Sequence, residues 1–350
     1  MNPAQDRKAT LSLDELRSGE PLERDLLLAD QPENPEMREG VNVWIFEENG
    51  EFAMPRLGLD VTGAAWNKRQ FQSANFAFPD GRILDGAAAA GWGLVDALPV
   101  RDENGRPAVF GGGPLTFRCL EPFRRWTVAF DGPAVDTTVQ AQIARSVDKA
   151  RTSHVRLEAD LEMAAPAWRQ TFAEDDPRPE AAFMGIGHRH EQLFRAQGVL
   201  TTDGKLRPFK GTGVRIHRQS VRRSAALGFY GHVWLSALFP DGRAFGCNVY
   251  PALPDRPQYN TGFIYQDGRF VDAKVVDAPW LGQLIPEGER VPVVLESELG
   301  RTRIEGVTLL STFMPGMPGM GGLNLNQGAV RFTWDDQTAI GMTERSSRPQ

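Results

Sequence analysis

From residue 41 onward, apolar and polar residues alternate in short runs. Along His154–Met163 the apolar side is Val155, Leu157, Ala159, Leu161 and Met163, and the polar side is His154, Arg156, Glu158, Asp160 and Glu162. A period of two is that of a strand with one buried face. Arg125–Phe130, with Trp126, Val128 and Phe130 on one side, shows it again, and Arg303–Leu309 more weakly. Between the runs fall Asn49-Gly50, Asp80-Gly81, Asn104-Gly105, Asp131-Gly132, Asp203-Gly204, Asp241-Gly242 and Asp267-Gly268. Such pairs tolerate the positive φ of tight hairpin turns. No stretch beyond residue 40 holds a helical period, so the pattern predicts a mostly β, antiparallel chain with few short helices. Residues 1–40 are polar, with helix-like stretches at Leu11–Leu16 and Glu23–Leu28.

Phe-Pro-Asp-Gly-Arg occurs at Phe78–Arg82 and again at Phe239–Arg243, about half a chain later, each time after a run of strand length. Two related β modules account for this. The expected division is a polar segment over 1–40, a first domain over 41–175 and a second over 181–346, joined through the Pro- and acid-rich Ala173–Glu180. A chain of 350 residues is long enough for two such cores.

Composition narrows the function classes. The 41% apolar and 24% charged fractions are those of a folded protein. The net charge of −6, with Lys and Arg dispersed among acids, offers no phosphate-tracking surface, so nucleic acid is not an expected partner. No apolar run has the length of a signal peptide core or a membrane span, and a cytoplasmic location is the expectation. Cys119 and Cys247 lie far apart and outside any CxxC pattern, and read as free buried thiols.

The groups able to do chemistry cluster. Four of the five histidines and all four tyrosines fall between residues 188 and 265. Along Phe229–Phe239, Tyr230, His232, Trp234 and Ser236 share one face, the mixture of aromatic surface and polar tips that a small-molecule pocket needs. Arg215 and His217 share a face of the preceding strand, where they would hold an anion or carbonyl oxygen against an imidazole. His188 and His190 have a two-residue metal spacing, but Glu191 points to the opposite face and cannot complete a set, so no metal is assigned. GxxxxGK[ST], strand–GxGxxG–helix and GxSxG patterns are absent.

In order along the chain, Glu121–Gly132, Arg156–Trp168, His190–Gly204, Gly211–Arg223, the Gly231–Gly246 strand pair and the terminal Ala339–Ser346 resemble the carotenoid hydratase and AttH-like family of tandem lipocalin-like proteins (hydroxyneurosporene synthase-like), which is also similar to fungal decalin Diels–Alderases. The resemblance implies two lipocalin-like domains and a cavity, dominated by the second, for a lipophilic terpenoid, steroid or polyketide-like molecule. It implies cofactor-free hydration, dehydration, isomerisation or cyclisation by proton transfer, that is, lyase or isomerase chemistry. The family strand resembling Arg-Asp-His-Ser-Trp-Gly reads Arg215-Ile216-His217-Arg218-Gln219-Ser220 here, so only Arg215 and His217 carry over. The expected catalytic set is His217, His232, Arg215 and Glu344, with Glu344 either a proton donor or an ion-pair partner for an arginine such as Arg215. The expected ligand contacts are Tyr230, Trp234, Ser236, Tyr250, Tyr259, Asn260 and Trp334. A non-catalytic carrier and a His-x-His metalloenzyme are the competing readings.

Overall fold

The computed structural model describes residues 11–170, 186–221, 230–254, 258–317 and 321–349. Eight strands follow one another around a first antiparallel barrel: β1 (Met37–Glu47), β2 (Ala53–Thr62), β3 (Lys68–Ala77), β4 (Arg82–Asp85), β5 (Arg125–Thr138), β6 (Thr152–Met163), β7 (Ile186–Thr202) and β8 (Lys205–Val221). The ring closes where β6 pairs with β7 and β8 returns to β1. Short strands at Leu94–Asp96, Val109–Gly112, Leu115–Glu121 and Trp168–Arg169 extend it at its edges.

The second barrel is β9 (Gly231–Leu238), β10 (Ala244–Tyr250), β11 (Tyr259–Gln266), β12 (Arg269–Asp277), β13 (Val293–Ser297), β14 (Gly300–Met317), β15 (Leu323–Trp334) and β16 (Gln337–Ser347), closed by β16 on β9. The chain adopts the mostly β architecture expected from the alternation and the two barrels that the family resemblance implies. Residues 186–221, read from sequence as the opening of the second domain, are by pairing the closing strands of the first barrel. A barrel closes through strands remote in sequence, and a local pattern does not name the partner. Ala173–Glu180, expected as the linker, lies outside the described residues.

Most of the turn signals hold. Asp203-Gly204 and Asp267-Gly268 have φ values of 53°, 73°, 54° and 73°, with both residues of each pair in the left-handed region that a two-residue hairpin requires. The repeated pentapeptide forms the same turn twice. Phe78 N donates to Arg82 O and Phe239 N to Arg243 O, while Asp80 and Asp241 each accept the backbone N–H two residues on. Each terminal arginine then ties its turn to another one, Arg82 to Asp203 and Arg243 to Asp335. Asp131-Gly132 is the exception. It lies inside β5, opposite Arg156 and Val155, and a Cβ on Gly132 would meet Pro114 Cβ at 2.7 Å, so the glycine serves close packing and not a turn.

Alternation decides where each face goes. Val233, Leu235, Phe245, Cys247, Ile264, Val271, Val293, Ile304, Val330, Phe332 and Ala339 belong to one buried cluster drawn from all eight strands of the second barrel. A cluster fed by every strand of a ring is its inside, so the second barrel is filled with side chains, and none of the described cavities lies in it. Among the described residues, the inward positions of this barrel carry medium-sized apolar side chains packed into one cluster, and the cleft found lies outside it, between the barrels. The first barrel is likewise filled by Val41, Ile45, Leu59, Phe71, Trp126, Phe130, Leu157, Phe194 and their neighbours. Cys119 and Cys247 are free and sit in these separate cores; burial pushes the Cys247 thiol up to about 12 and Cys119 upward as well. A third cluster, including Trp44, Phe46, Leu193, Ile216, Trp234, Leu238, Phe263 and Met342, joins the outer faces of the two barrels.

The N-terminal segment plugs one end of the first barrel. Ser12 and Glu15 form a capping box at the start of the short helix α1 (Leu13–Arg17), and a 3₁₀ turn follows at Leu22–Asp25, close to the two helix-like stretches expected. Leu16 and Leu27 enter the barrel core and Asp25 is fully buried.

Asp85 caps the four-residue helix α2 (Gly86–Ala89), accepting Ala88 N at 2.8 Å, and burial raises its pKa from 3.8 to about 6. The folded value exceeds the unfolded one, so the contribution of Asp85 is most favourable below pH 3.8 and is lost as pH rises through about 6. Asp85→Asn keeps a capping oxygen and removes the charge. It is expected to stabilise the protein at pH 7.5 by on the order of 2 kcal/mol and to have little effect at pH 4. Urea unfolding at the two pH values measures this; an equal difference at both would contradict it.

Candidate functional site between the barrels

The expected catalytic residues separate into two clusters, one inside the first barrel and one on the outer face of the second. His190, Gln192, Arg215, His217 and Glu39 share the inward face of β7, β8 and β1, as the registers His190↔His217, Gln192↔Arg215 and Val41↔His217 require. Asp25 reaches them from the plug. Its Oδ1 lies 2.7 Å from Arg215 Nη2 and 3.1 Å from His190 Nε2, and its Oδ2 accepts from Trp126 Nε1 at 2.9 Å. Glu39 Oε1 accepts from Gln219 and from Leu28 N, 2.9 Å each, and is 3.5 Å from His217 Nε2. The Arg215 guanidinium lies 4.3 Å from the Trp126 ring centre.

The electrostatics follow from pairing against burial. Burial opposes ionisation of Asp25, but Arg215, His190 and His217 overcome it and hold the carboxyl well below the usual range. His217, also opposed by burial, is raised by Asp25 and Glu39. Burial lowers His190 to about 4 and His188, hydrogen-bonded to it at 2.8 Å, to about 2. Asp25, His190 and His217 have ligand atoms within 4.8 Å of one another, a metal-like spacing. The Arg215 guanidinium lies against both Asp25 Oδ1 and His190 Nε2, 2.7 and 3.2 Å away, so a fixed cation already stands among those donors. The cluster is an ion-paired anchor for the plug.

The second cluster lies between the barrels. His232, Trp234 and Ser236 alternate along β9 on the face turned to the first barrel, and the registers Trp234↔Glu344 and His232↔Ser346 place Glu344 and Ser346 beside them. His232 Nε2 is 3.1 Å from Glu344 Oε1, and its Nδ1 is 2.6 Å from Ser346 Oγ. Glu344 Oε2 accepts from Gln327 Nε2 at 2.6 Å, and Arg56 Nη1 is 3.7 Å away. Glu344 therefore pairs with His232 and Arg56, and not with Arg215 as considered from sequence. Burial would raise the Glu344 pKa, but His232, Arg56 and Gln327 together hold it below the ordinary value. Tyr250 stacks on His232 with centres 5.6 Å apart, and Tyr259 meets Tyr250 edge-on. The hydroxyl–imidazole–carboxylate chain Ser346–His232–Glu344 can hold one imidazole tautomer and pass a proton along it.

Arg56 reaches this site through a bulge. Between β1 and β2 the register skips, Val43 facing Leu57 and Ile45 facing Met54, with Pro55 and Arg56 left between. Arg56 takes φ 96°, a conformation that non-glycine residues rarely adopt, and its guanidinium stands 5.6 Å from the Trp44 ring centre. Trp44 in turn meets Trp234 edge-on at 5.1 Å. Trp234 Nε1 donates to Glu191 Oε2 at 3.0 Å, and Glu191 pairs with Arg189 at 2.9 Å. Glu191 lies directly across from Ile216, so the neighbouring strand carries a carboxylate beside the isoleucine that packs in the interface. Burial raises the Glu191 pKa against the pull of Arg189 and Trp234.

The other expected contacts divide. Ser236 lines a crevice with Phe46, Leu193, Leu238 and Ile340, too narrow for water, which shares Thr212, Leu238 and Ile340 with a cleft of about 760 Å³ between the barrels. Asn260 bonds both Val275 O and Val275 N and repairs a strand edge. Trp334 packs on Phe239 inside the second barrel beneath Arg243, and Tyr230 is 39% exposed with Arg348 over its ring. These three have structural or surface settings. Sequence reasoning missed Asp25, Glu39, Trp44, Arg56 and Gln327, and weighed Glu191 only as a metal ligand; the Pro55-Arg56 break in the β2 alternation marked one of those missed.

Fold and site together define a tandem eight-stranded β-barrel protein with a buried polar and aromatic seam between its barrels. The chain belongs to the family defined by the domain of unknown function DUF7064, whose model matches residues 90–349. No curated protein sequence matches it. Among solved structures it is similar to a Nitrosomonas europaea protein provisionally assigned as AttH, with TM-score 0.53 and 14% identity over 93% of this chain and 99% of that one. It is also similar to CghA with Sch210972, with TM-score 0.52 and 11% identity over 89% of each chain. Kievitone hydratase from Nectria haematococca aligns with TM-score 0.45 and 8% identity over 92% of each. The fold resemblance expected from the ordered motifs is present. Among the described residues, no helix is long and apolar enough to cross a membrane.

Proposed function

We propose that this protein binds a lipophilic small molecule of terpenoid, steroid or polyketide type in the seam between its barrels and acts on it by cofactor-free proton transfer, through hydration, dehydration, isomerisation or cyclisation. The observation that carries the reading is the buried Ser346–His232–Glu344 chain set beside the Trp44–Trp234 wall. A titratable relay against aromatic surface is what a proton donor to an apolar substrate requires, and aromatic faces favour a cationic intermediate. CghA, of the same fold, has been solved with the small molecule Sch210972.

The ligand enters from the cleft and widens the Ser236–Leu193 crevice, His232 moves the proton, and Glu344 fixes the imidazole. Arg215 and His217 hold the plug and do not touch the substrate. Two free, buried thiols suit a reducing compartment such as the cytoplasm.

The experiment uses lipophilic extract from the source cells, incubated with the wild type, with His232→Gln and with Ser236→Trp, and analysed by mass spectrometry for compounds retained and compounds changed. The expected result is retention and conversion by the wild type, retention without conversion by His232→Gln, and neither by Ser236→Trp. Conversion undiminished in His232→Gln would remove the proton-transfer assignment, and retention without conversion by the wild type would make the protein a carrier.

A further inference from the structure

Among the buried polar atoms that nothing among the described residues satisfies, besides those of Gln170, Ser311 and Thr343, are Trp44 Nε1, Asn75 Oδ1 and both amide atoms of Asn248. The relative exposures of Trp44, Asn75 and Asn248 are 0%, 2% and 1%. Buried polar groups almost always find partners, so several left over in one region need a common explanation.

All three belong to the seam. Asn248 pairs in register with Trp234 and shares its outward face. Trp44 touches Trp234 on one side and Arg56 on the other. Asn75 Nδ2 crosses to Gln327, which holds Glu344. Asn248 thus lies on one side of Trp234 and Glu344 on the other, with Trp44 packed on Trp234 and Asn75 beside Gln327, and the leftover atoms comprise two donors, Trp44 Nε1 and Asn248 Nδ2, and two acceptors, Asn75 Oδ1 and Asn248 Oδ1.

We infer that the seam selects an oxygen-bearing lipophile, one whose hydroxyl or carbonyl groups meet Trp44, Asn75 and Asn248, over a pure hydrocarbon. This rests on the seam being the ligand site and narrows the ligand class. A hydroxyl can accept from Trp44 Nε1 or Asn248 Nδ2 and donate to Asn75 Oδ1 or Asn248 Oδ1, and a carbonyl can accept from either donor. A hydrocarbon leaves all four atoms unmet, and a site lined with such groups rejects the analogue that lacks the matching oxygen.

The test compares farnesol with β-farnesene, an alcohol and a hydrocarbon with the same number of carbons, by quenching of tryptophan fluorescence in the full chain. Wild type is expected to hold farnesol at least about tenfold more tightly. Asn248→Leu, close in volume, is expected to shrink that ratio to about threefold or less, with farnesene affinity unchanged. Without ligand it should melt at the same temperature as the wild type or higher, because an unpaired buried amide has been removed. Trp44→Phe should reduce the ratio in the same way. Equal wild-type affinities for the two probes, or an unchanged ratio in both variants, would overturn the inference while leaving the seam as the site. A ligand-free Asn248→Leu that melts lower would show that the amide has a structural partner and would also overturn it. If neither probe binds, the functional reading beneath it fails too.

Discussion

Asp25→Asn should cost the protein about 3–5 kcal/mol of unfolding free energy at neutral pH, the largest stability effect expected of any single substitution here. Arg215 is 0% exposed, and Asp25 supplies the carboxylate nearest to its guanidinium. Removing that charge leaves a buried cation uncompensated and weakens a polar anchor of the N-terminal plug. Hydrogen exchange at Leu27 and proteolysis around Ser18–Gly19 should both accelerate, since Leu27 enters the barrel core and Ser18 lies at the left-handed end of α1. Because Asp25 is held below its unfolded value of 3.8, its contribution is present above that pH and lost as pH falls through the lower folded value, so the variant should also lose part of its acid sensitivity. His190, lowered to about 4, adds an acid-labile contribution that fades between 6.5 and about 4. Joint replacement with Arg215→Met should recover most of the loss, as buried ion pairs exchanged for apolar groups usually do. A loss below about 1 kcal/mol in Asp25→Asn, measured by denaturant unfolding, would show that the cluster does not hold the plug.

Glu344→Gln should lower turnover by about 10²–10⁴ while leaving ligand retention within about threefold. The change conserves shape and removes the charge that His232 and Arg56 share. Without it the imidazole loses the partner that fixes its tautomer, and Arg56, held at φ 96°, loses the carboxylate it reaches across the seam to meet. The measurement is a single-turnover rate on whichever compound the extract experiment shows to be converted, with retention read by mass spectrometry in the same samples. Because Glu344 is held below 4.5, the wild-type rate should not fall through loss of this charge until the pH drops below that value. A rate in Glu344→Gln equal to wild type would assign the carboxylate a purely structural role.

Both experiments probe side chains whose neighbours came from opposite ends of the chain. The alternation in β6, visible as Val155, Leu157, Ala159, Leu161 and Met163, is also the alternation of burial in the fold. The grouping of His232, Trp234 and Ser236 on one strand face was legible for the same reason: strand periodicity is local and needs no partner. What that face meets was not legible, and it faces the other barrel while Val233 and Leu235 fill its own. Arg215 and His217 were found as a pair but went to the inside of the first barrel, because β8 closes on β1 rather than opening a second domain.

The sequence by itself determined the strands, most of the turns, the repeated Phe-Pro-Asp-Gly-Arg hairpin and the segment in which histidines and tyrosines concentrate, since these depend on φ preferences and on a two-residue period. Only the tertiary structure decided that Asp25 would meet Arg215, that Arg56 and Gln327 would converge on Glu344, and that the polar seam would lie between two filled barrels. Those outcomes depend on ring closure and on the packing of one barrel's outer face against the other's, and the energies that select them act between residues far apart along the chain.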